Sequence, residues 1–127
     1  MNRIYLSGPM SGLPDWNRPA FMEAAGRLRN LGFEVVNPAE VSIRGGSWAD
    51  FMRHDIRLMM DVDGVVTLPG WRQSKGASLE VYIAEHLHMP VYELEHFMAN
   101  VAEVRSAGQP KVEQLSLDLT VEEPVRI

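Results

Sequence analysis

Glu80 is the residue whose position most strongly suggests chemistry. It falls at helical spacing from apolar residues on both sides, so its carboxylate should project from the face that packs on a sheet. Those apolar neighbours are Ala77, Ile83, Ala84 and Leu87, while Glu85 is predicted to face outward. An acid on a packed face is costly without a partner or a purpose. Because perturbed carboxylates in clefts are more often functional, Glu80 is the leading catalytic candidate, with a buried structural acid as the alternative.

Two aspartates are candidates for a second acidic group. Asp55 lies in the middle of a predicted helix, and Asp63 begins a predicted strand. Their spacing allows one to reach a ligand while the other caps or orients a loop, whereas Asp61 fits a solvated helix end.

The loop at residues 7–12 (SGPMSG) combines glycines with hydroxyl groups. Glycines permit close backbone approach, and hydroxyls can bond a sugar or a phosphate. The loop lacks the spacing of a dinucleotide-binding GxGxxG motif and the Gly-Lys-Ser/Thr ending of a P-loop, so neither function is supported. A turn that needs positive φ is the alternative interpretation.

A second loop, residues 74–78 (SKGAS), stands at a predicted helix N-terminus. Free N–H groups and the helix dipole favour an anion there, and a hydroxyl and an ammonium group stand beside them. The loop therefore predicts a site for a monophosphate, with a simple helix cap and a solvated lysine as the alternative. Pro69, Gly70 and Trp71, just before it, indicate an exposed loop.

The sequence predicts neither a metal site nor a cofactor. The four histidines, His54, His86, His88 and His96, show no HExxH pattern and no three convergent positions. There is no cysteine, which excludes a disulfide, a thiolate metal site and a cysteine nucleophile. No Gly-x-Ser-x-Gly elbow is present, which weakens acyl-transfer chemistry.

Alternating strands and helices must position these residues. Short apolar runs closed by glycine or proline predict strands, and apolar residues spaced three and four apart predict helices. The predicted strands are 4–6, 33–36, 63–68 and 90–94. The predicted helices are 16–31, ended by Gly32, then 48–60, capped by Ser47, then one from Ser74 or Gly76 to about 88, and 95–106.

This alternation predicts an α/β protein, a Rossmann-like or flavodoxin-like three-layer sandwich around a parallel central sheet of four to five strands. We expect one domain at residues 1–106 and a C-terminal tail at residues 107–127. Ligands bind beyond the carboxyl ends of the strands in such sheets. The loops after Leu6, Val36 and Leu68 should therefore hold the chemistry.

Composition restricts the possible partners. The 127 residues suit one domain, and the net charge is −5 with 12 scattered Lys and Arg, which argues against tracking a DNA or RNA backbone. The apolar run at the N-terminus is too short for a signal peptide, and no stretch approaches the ~20 apolar residues of a membrane span. We expect a cytoplasmic protein with a small-molecule ligand, and no direct binding to nucleic acid or membrane.

Several motifs together carry a resemblance to a known family. They are the segment Ile4-Tyr5-Leu6-Ser7-Gly8-Pro9, the pair Asp55 and Asp63, and the pattern Ser74-x-Gly76-x-x-x-Glu80. They resemble the nucleoside 2-deoxyribosyltransferase superfamily over residues 3–94. In that family a glutamate of the third helix attacks the anomeric carbon of a nucleoside, the base leaves, and the sugar passes to another base or to water. The short chain is similar to a compact branch found in phage and bacterial genomes.

The resemblance implies a role for each matched residue. Glu80 is the nucleophile, Asp55 holds the sugar or protonates the departing base, and Tyr5 positions the glutamate. Gly8 lines the sugar pocket, and Ser74 binds a 5′-phosphate. The residues expected to contact substrate are Ser7, Gly8, Pro9, Met10, Asp63, Gly70, Trp71, Ser74 and Gly76. Members of the superfamily are oligomers, so the resemblance also implies a dimer or tetramer.

The expected activity is cleavage or transfer at the N-glycosidic bond of a (deoxy)nucleoside or its 5′-monophosphate. One alternative is a phosphoribohydrolase, for which Arg57 and Arg72 would serve the phosphate. The other is a non-catalytic nucleotide-binding or adaptor protein that is recruited through its tail.

The tail carries a separate signal. Residues 114–119 (QLSLDL) resemble the peptide by which bacterial replication proteins dock on the sliding clamp, and Gln114, Leu115, Leu117 and Leu119 would be its anchors. A chance amphipathic strand is the alternative. The preceding Gly-Pro linker favours the docking interpretation.

Overall fold

The structure is a computed structural model that describes residues 1–41 and 45–106. Its strands are β1 (Arg3–Ser7), β2 (Glu34–Val36), β3 (Gly64–Thr67) and β4 (Val91–Glu93). Its helices are α1 (Arg18–Asn30), α2 (Trp48–Met59), α3 (Lys75–His86), α4 (Leu94–Ala99) and α5 (Val101–Ser106). Short 3-10 turns lie at Pro14–Asn17, Pro38–Glu40 and Trp71–Gln73.

The strands form a four-stranded, all-parallel sheet in the order β2-β1-β3-β4. The chain moves from β1 to one side for β2, then crosses back to β3 on the other side. This reversal produces a topological switch point between β1 and β3, where open α/β sheets bind ligands. The structure confirms the predicted Rossmann-like, flavodoxin-like architecture, with four strands in the described part of the chain.

Helices cover both faces of the sheet, which gives three layers. On one face Ile4 and Leu6 of β1 pack with Phe21 and Leu28 of α1, and with Phe97 of α4. On the other face the core is smaller and comprises Tyr5, Met59, Val62, Val65 and Ala84. Successive residues of a strand point to opposite faces, so Tyr5 and Ser7 both face the layer of α2 and α3.

Local signals at the helix ends are confirmed. Ser47 caps α2, accepting from the backbone N–H of Asp50 while the Asp50 side chain accepts from the backbone N–H of Ser47. Gly32 follows α1 with φ of 94°, a conformation that glycine adopts without steric cost. The helix predicted to begin at 16 begins at Arg18, because residues 15–17 have left-handed backbone angles.

Two predictions about helix faces and lengths were wrong. The single helix predicted over 95–106 is two helices, because the backbone at Asn100 leaves helical geometry. Leu87 does not share the packed face of α3, since its side chain is 57% exposed just beyond the last turn. None of the helices in residues 1–41 and 45–106 is long and apolar enough to cross a membrane.

Candidate active site

A cavity of about 580 Å³ opens at the carboxyl edge of the sheet. Its wall is formed by the loops after β1 and β2, by one face of α2 and by the first turns of α3. The residues that line it include Tyr5, Gly8, Met10, Trp16, Arg18, Trp48, Phe51, Met52, His54, Asp55, Ser74, Gly76 and Glu80. The size is within the usual range for small-molecule pockets. The loops predicted to hold the chemistry therefore meet at one site, apart from the segment directly after β3.

Glu80 is held at the floor of this cavity by two hydroxyl groups of β1. The Tyr5 hydroxyl donates to Oε2 of Glu80 and the Ser7 hydroxyl donates to Oε1, both at 2.7 Å. Strand alternation places both hydroxyls on the face toward α3, and the second turn of α3 carries the carboxylate to them. Each carboxylate oxygen thus has its own donor.

Burial controls the electrostatics of this cluster. The side chain of Glu80 is 5% exposed, and burial raises its pKa to about 7. The hydrogen bonds from Ser7 and Tyr5 lower that pKa, and the negative charge of Asp55 raises it. The pKa of the Tyr5 hydroxyl is raised well above its usual value, by burial first and then by Glu80, so Tyr5 remains a donor at physiological pH.

Asp55 supplies the second carboxyl group, from the face of α2 that lines the cavity. It is partly buried, and burial raises its pKa to about 6, an effect reduced by the neighbouring His54. The charge of Asp55 is the smallest of the named causes that act on the pKa of Glu80. Both pKa values lie near neutral pH, so each group is partly protonated there. The family resemblance implies the nucleophile role for Glu80 and a sugar-holding or acid role for Asp55.

Aromatic side chains form the mouth of the cavity. Trp16 is 66% exposed, and Trp48 and Phe51 at the start of α2 are also exposed. Asp15, Trp16 and Asn17 have φ values of 51°, 54° and 58°, a left-handed turn that costs about 1–2 kcal/mol for each such residue. The Asn17 side chain donates to the Pro9 carbonyl at 2.9 Å, which fastens this turn to the loop after β1.

Two glycines of the site allow close packing. A Cβ at Gly8 would stand 2.8 Å from Cβ of Leu68, so the loop after β1 can lie against the end of β3 only with glycine here. A Cβ at Gly76 would stand 3.0 Å from Sδ of Met52, where the first turns of α2 and α3 meet. Both glycines line the cavity.

The first turn of α3 also has the features of an anion site. Ser74 caps the helix, and its oxygen accepts from the backbone N–H of Ala77 at 3.1 Å, which leaves its own proton free to donate to a ligand. The Lys75 ammonium lies 4.1 Å from the centre of the Trp48 ring, beside the cavity. Arg18 lines the wall on the α1 side.

Several residues expected to contact substrate do not line the cavity. Asp63 lies at the opposite, amino edge of the sheet, where it accepts from the backbone N–H groups of Asn2 and Arg3, and these bonds lower its pKa. It caps the start of β1, the second role its spacing allowed. Gly70, Trp71 and Pro9 do not line the cavity. Gly70 adopts φ of 87° at the turn after β3. Ser7 is 1% exposed and serves Glu80 instead of the cavity surface.

Sequence reasoning missed the aromatic mouth and Arg18. A signal was available, because Trp48, Phe51, Met52 and Asp55 follow the i, i+3, i+4, i+7 spacing of one helix face. The predicted anchors Gln114, Leu115, Leu117 and Leu119 lie outside the described residues, as does the rest of the tail beyond residue 106.

Comparison with known proteins gives one family match. The family described as a domain of unknown function, DUF4406, matches residues 2–93, from the start of the sheet to the end of β4. The match includes Tyr5, Asp55 and Glu80. A search of curated proteins finds no match.

Proposed function

This chain belongs to the DUF4406 family, and we propose that it cleaves or transfers the N-glycosidic bond of a (deoxy)nucleoside or nucleoside 5′-monophosphate through a covalent glycosyl-Glu80 intermediate. The observation that carries the proposal is the buried carboxylate of Glu80 at the cavity floor, bonded by Tyr5 and Ser7. A carboxylate held in this way cannot turn away from a ligand above it. It is therefore suited to attack at a fixed carbon atom.

The second carboxyl group completes the reaction chemically. Glu80 forms a bond to the anomeric carbon as the bond from that carbon to the base nitrogen breaks, and the electron pair goes to the base. Asp55 supplies the proton that the departing base needs, because its pKa of about 6 leaves a protonated fraction near neutral pH. Asp55 then removes a proton from the water or base that attacks the same carbon and releases Glu80.

The wall of the cavity supports a nucleoside as the substrate. The mouth presents the flat rings of Trp16, Trp48 and Phe51, which suit stacking on a planar base. The floor presents the carboxyl groups that the sugar carbon must meet. The first turn of α3, with the Ser74 hydroxyl and Lys75, suits a 5′-phosphate.

The test is incubation of the purified full chain with a panel of deoxy- and ribonucleosides and their 5′-monophosphates, following released base by chromatography. We expect release from one substrate class, and a loss of at least a thousandfold in Glu80→Gln, since the nucleophile is removed. Glu85→Gln is the matched control, because Glu85 lies on the same helix with an exposed side chain. Adding a second base separates transfer from hydrolysis.

Mass spectrometry with a 2′-fluorinated substrate examines the covalent step directly. A slowly hydrolysed sugar should add its mass to the peptide that contains Glu80. Release of base that persists in Glu80→Gln would contradict the mechanism. Binding of nucleotides without any base release would favour the adaptor alternative, and a ribonucleotide-only activity would favour the phosphoribohydrolase alternative.

A further inference from the structure

We propose that Ser7 is a positioning residue that holds Oε1 of Glu80 in place, so that Oε2 is the oxygen that attacks the sugar. The choice of Oε2 as the attacking oxygen rests on the proposed function. The positioning of Oε1 by Ser7 is a geometric statement that holds whatever the reaction is.

The two hydroxyls that bind Glu80 differ in their relation to the cavity. The side chain of Tyr5 forms part of the cavity wall, and its hydroxyl bonds Oε2. Ser7 lies two residues further along β1, is not among the residues of the wall, and bonds Oε1. Both side chains are buried, so their place relative to the wall is what distinguishes them. The oxygen paired with the wall residue is the one that a ligand meets, so the opposite oxygen is anchored in the protein interior.

This asymmetry matches what the reaction requires of each oxygen. When Oε2 bonds to the anomeric carbon, the carboxylate becomes an ester, and the carbonyl character moves to Oε1. The Ser7 hydrogen bond to Oε1 is kept, whereas the Tyr5 bond to Oε2 weakens because a single-bonded ester oxygen is a poor acceptor. When water displaces the sugar, the electron pair returns to Oε2 and the Tyr5 bond is restored. Ser7 therefore holds Glu80 through both steps.

Carboxyl carbon-13 NMR tests the geometric part without any substrate. The Glu80 signal is identified by its loss in Glu80→Gln, and its titration is followed in the full chain and in Ser7→Ala. Loss of one donor to a buried carboxylate should move the midpoint to higher pH by about one pH unit. Ser7→Cys, which keeps the packing but donates weakly, should move the midpoint in the same direction by less.

Thr67→Val is the matched control. Thr67 pairs with Ser7 on the adjacent strand, is equally buried, and donates its hydroxyl to the Tyr92 carbonyl instead of a carboxylate. It should leave the Glu80 midpoint unchanged. An unchanged midpoint in both Ser7 variants, or an equal shift in Thr67→Val, would overturn the positioning role.

Isotope-edited infrared spectroscopy of the trapped glycosyl-enzyme tests which oxygen attacks. The ester carbonyl band should move to higher frequency in Ser7→Ala, because Oε1 loses its donor, and should stay in place in Tyr5→Phe. The reverse pattern would overturn the assignment of Oε2. If no glycosyl-enzyme forms while the NMR midpoint still shifts, the proposed function and the oxygen assignment fail together, and the positioning of Glu80 by Ser7 stands.

Discussion

Tyr5 and Trp16 are both aromatic residues on the wall of one cavity, but they are held in opposite ways. Tyr5 is fully buried in the sheet, with its hydroxyl bonded to Glu80. Trp16 is 66% exposed and sits in a turn whose backbone is left-handed at three successive residues. The floor of the cavity is thus fixed by packing and hydrogen bonds, whereas Trp16 at the mouth is held by a left-handed turn. Under the proposed function the floor would carry the chemistry and the mouth would select the ring system that enters.

The largest expected effect on activity concerns pH, because the proposed reaction uses two carboxyl groups whose pKa values lie near neutral. In the proposed mechanism the active form carries its proton on Asp55 with Glu80 charged. Because the pKa of Glu80 is the higher of the two, this is the minor singly protonated form. The pair should give apparent pKa values of about 6 and 7, so activity should peak between them. It should fall by roughly tenfold for each further pH unit, on the acid side as Glu80 is protonated and on the alkaline side as Asp55 loses its proton. A kcat/KM profile that is flat from pH 5 to pH 8 would contradict this.

Removing the buried charge should stabilise the protein at alkaline pH. The pKa of Glu80 rises from 4.5 to about 7 on folding. Between these values the folded protein binds more protons than the unfolded chain, so this group lowers stability as pH rises. Glu80→Gln should therefore be more stable than the parent by on the order of 3 kcal/mol at pH 8 and equal to it at pH 4. Thermal unfolding across pH measures this, with Glu85→Gln as control, and identical pH dependence in Glu80→Gln and the parent would contradict it.

The close packing of Gly8 against Leu68 can be disrupted by adding one methyl group. Gly8→Ala should destabilise by about 1–3 kcal/mol, because the new Cβ falls 2.8 Å from Cβ of Leu68 and the loop after β1 must move. Gly26→Ala is the control, since an added Cβ on α1 meets no described atom within 4 Å. It should stabilise by about 0.5–1 kcal/mol through helix propensity. Urea unfolding compares the two, and equal destabilisation would show that space at Gly8 is not limiting.

A substitution at the mouth of the cavity should change the affinity for a ligand but not the free energy of unfolding. Trp16→Ala should weaken binding of a nucleoside by about 1–3 kcal/mol, the usual value of stacking one base on an aromatic ring. Its unfolding free energy should change by no more than about 0.5 kcal/mol, as for other exposed side chains. Tyr82→Ala, at a similarly exposed aromatic residue outside the cavity wall, is the control. Calorimetric titration measures the affinity. An unchanged affinity in Trp16→Ala would show that Trp16 does not contribute to substrate recognition.

The smallest expected effect is that of the tail on the cavity. Deleting residues 109–127 should leave base release and thermal unfolding unchanged, because the cavity-lining residues in the described part of the chain all precede residue 81. The same deletion should abolish association with a purified bacterial sliding clamp, measured by surface plasmon resonance. Loss of activity in the deletion variant would show that the tail completes a site, on its own subunit or on a neighbour.

Most of the fold could be predicted from local sequence patterns. The apolar runs at β1 and β3, the cap at Ser47 and the glycine at 32 each act within a few residues, so they can be interpreted without knowledge of distant segments. The interruption at Asn100 was missed because the flanking sequence is helical on both sides. Glu80 could also be identified as a candidate, since an acid among apolar helix positions is a local anomaly, whereas the role of Asp55 came only from the family resemblance.

The sequence by itself determined the order and type of the elements, the apolar run of β1 and the unusual acid on α3. Only the tertiary structure decided that Ser7 bonds Glu80, that Asp63 caps the far edge of the sheet, and that Trp16 reaches the mouth from a left-handed turn. The physical reason is that local sequence patterns report on residues only a few positions apart. Ser7 and Glu80 are separated by 73 residues, and their meeting depends on how α3 packs across β1, which no local pattern encodes.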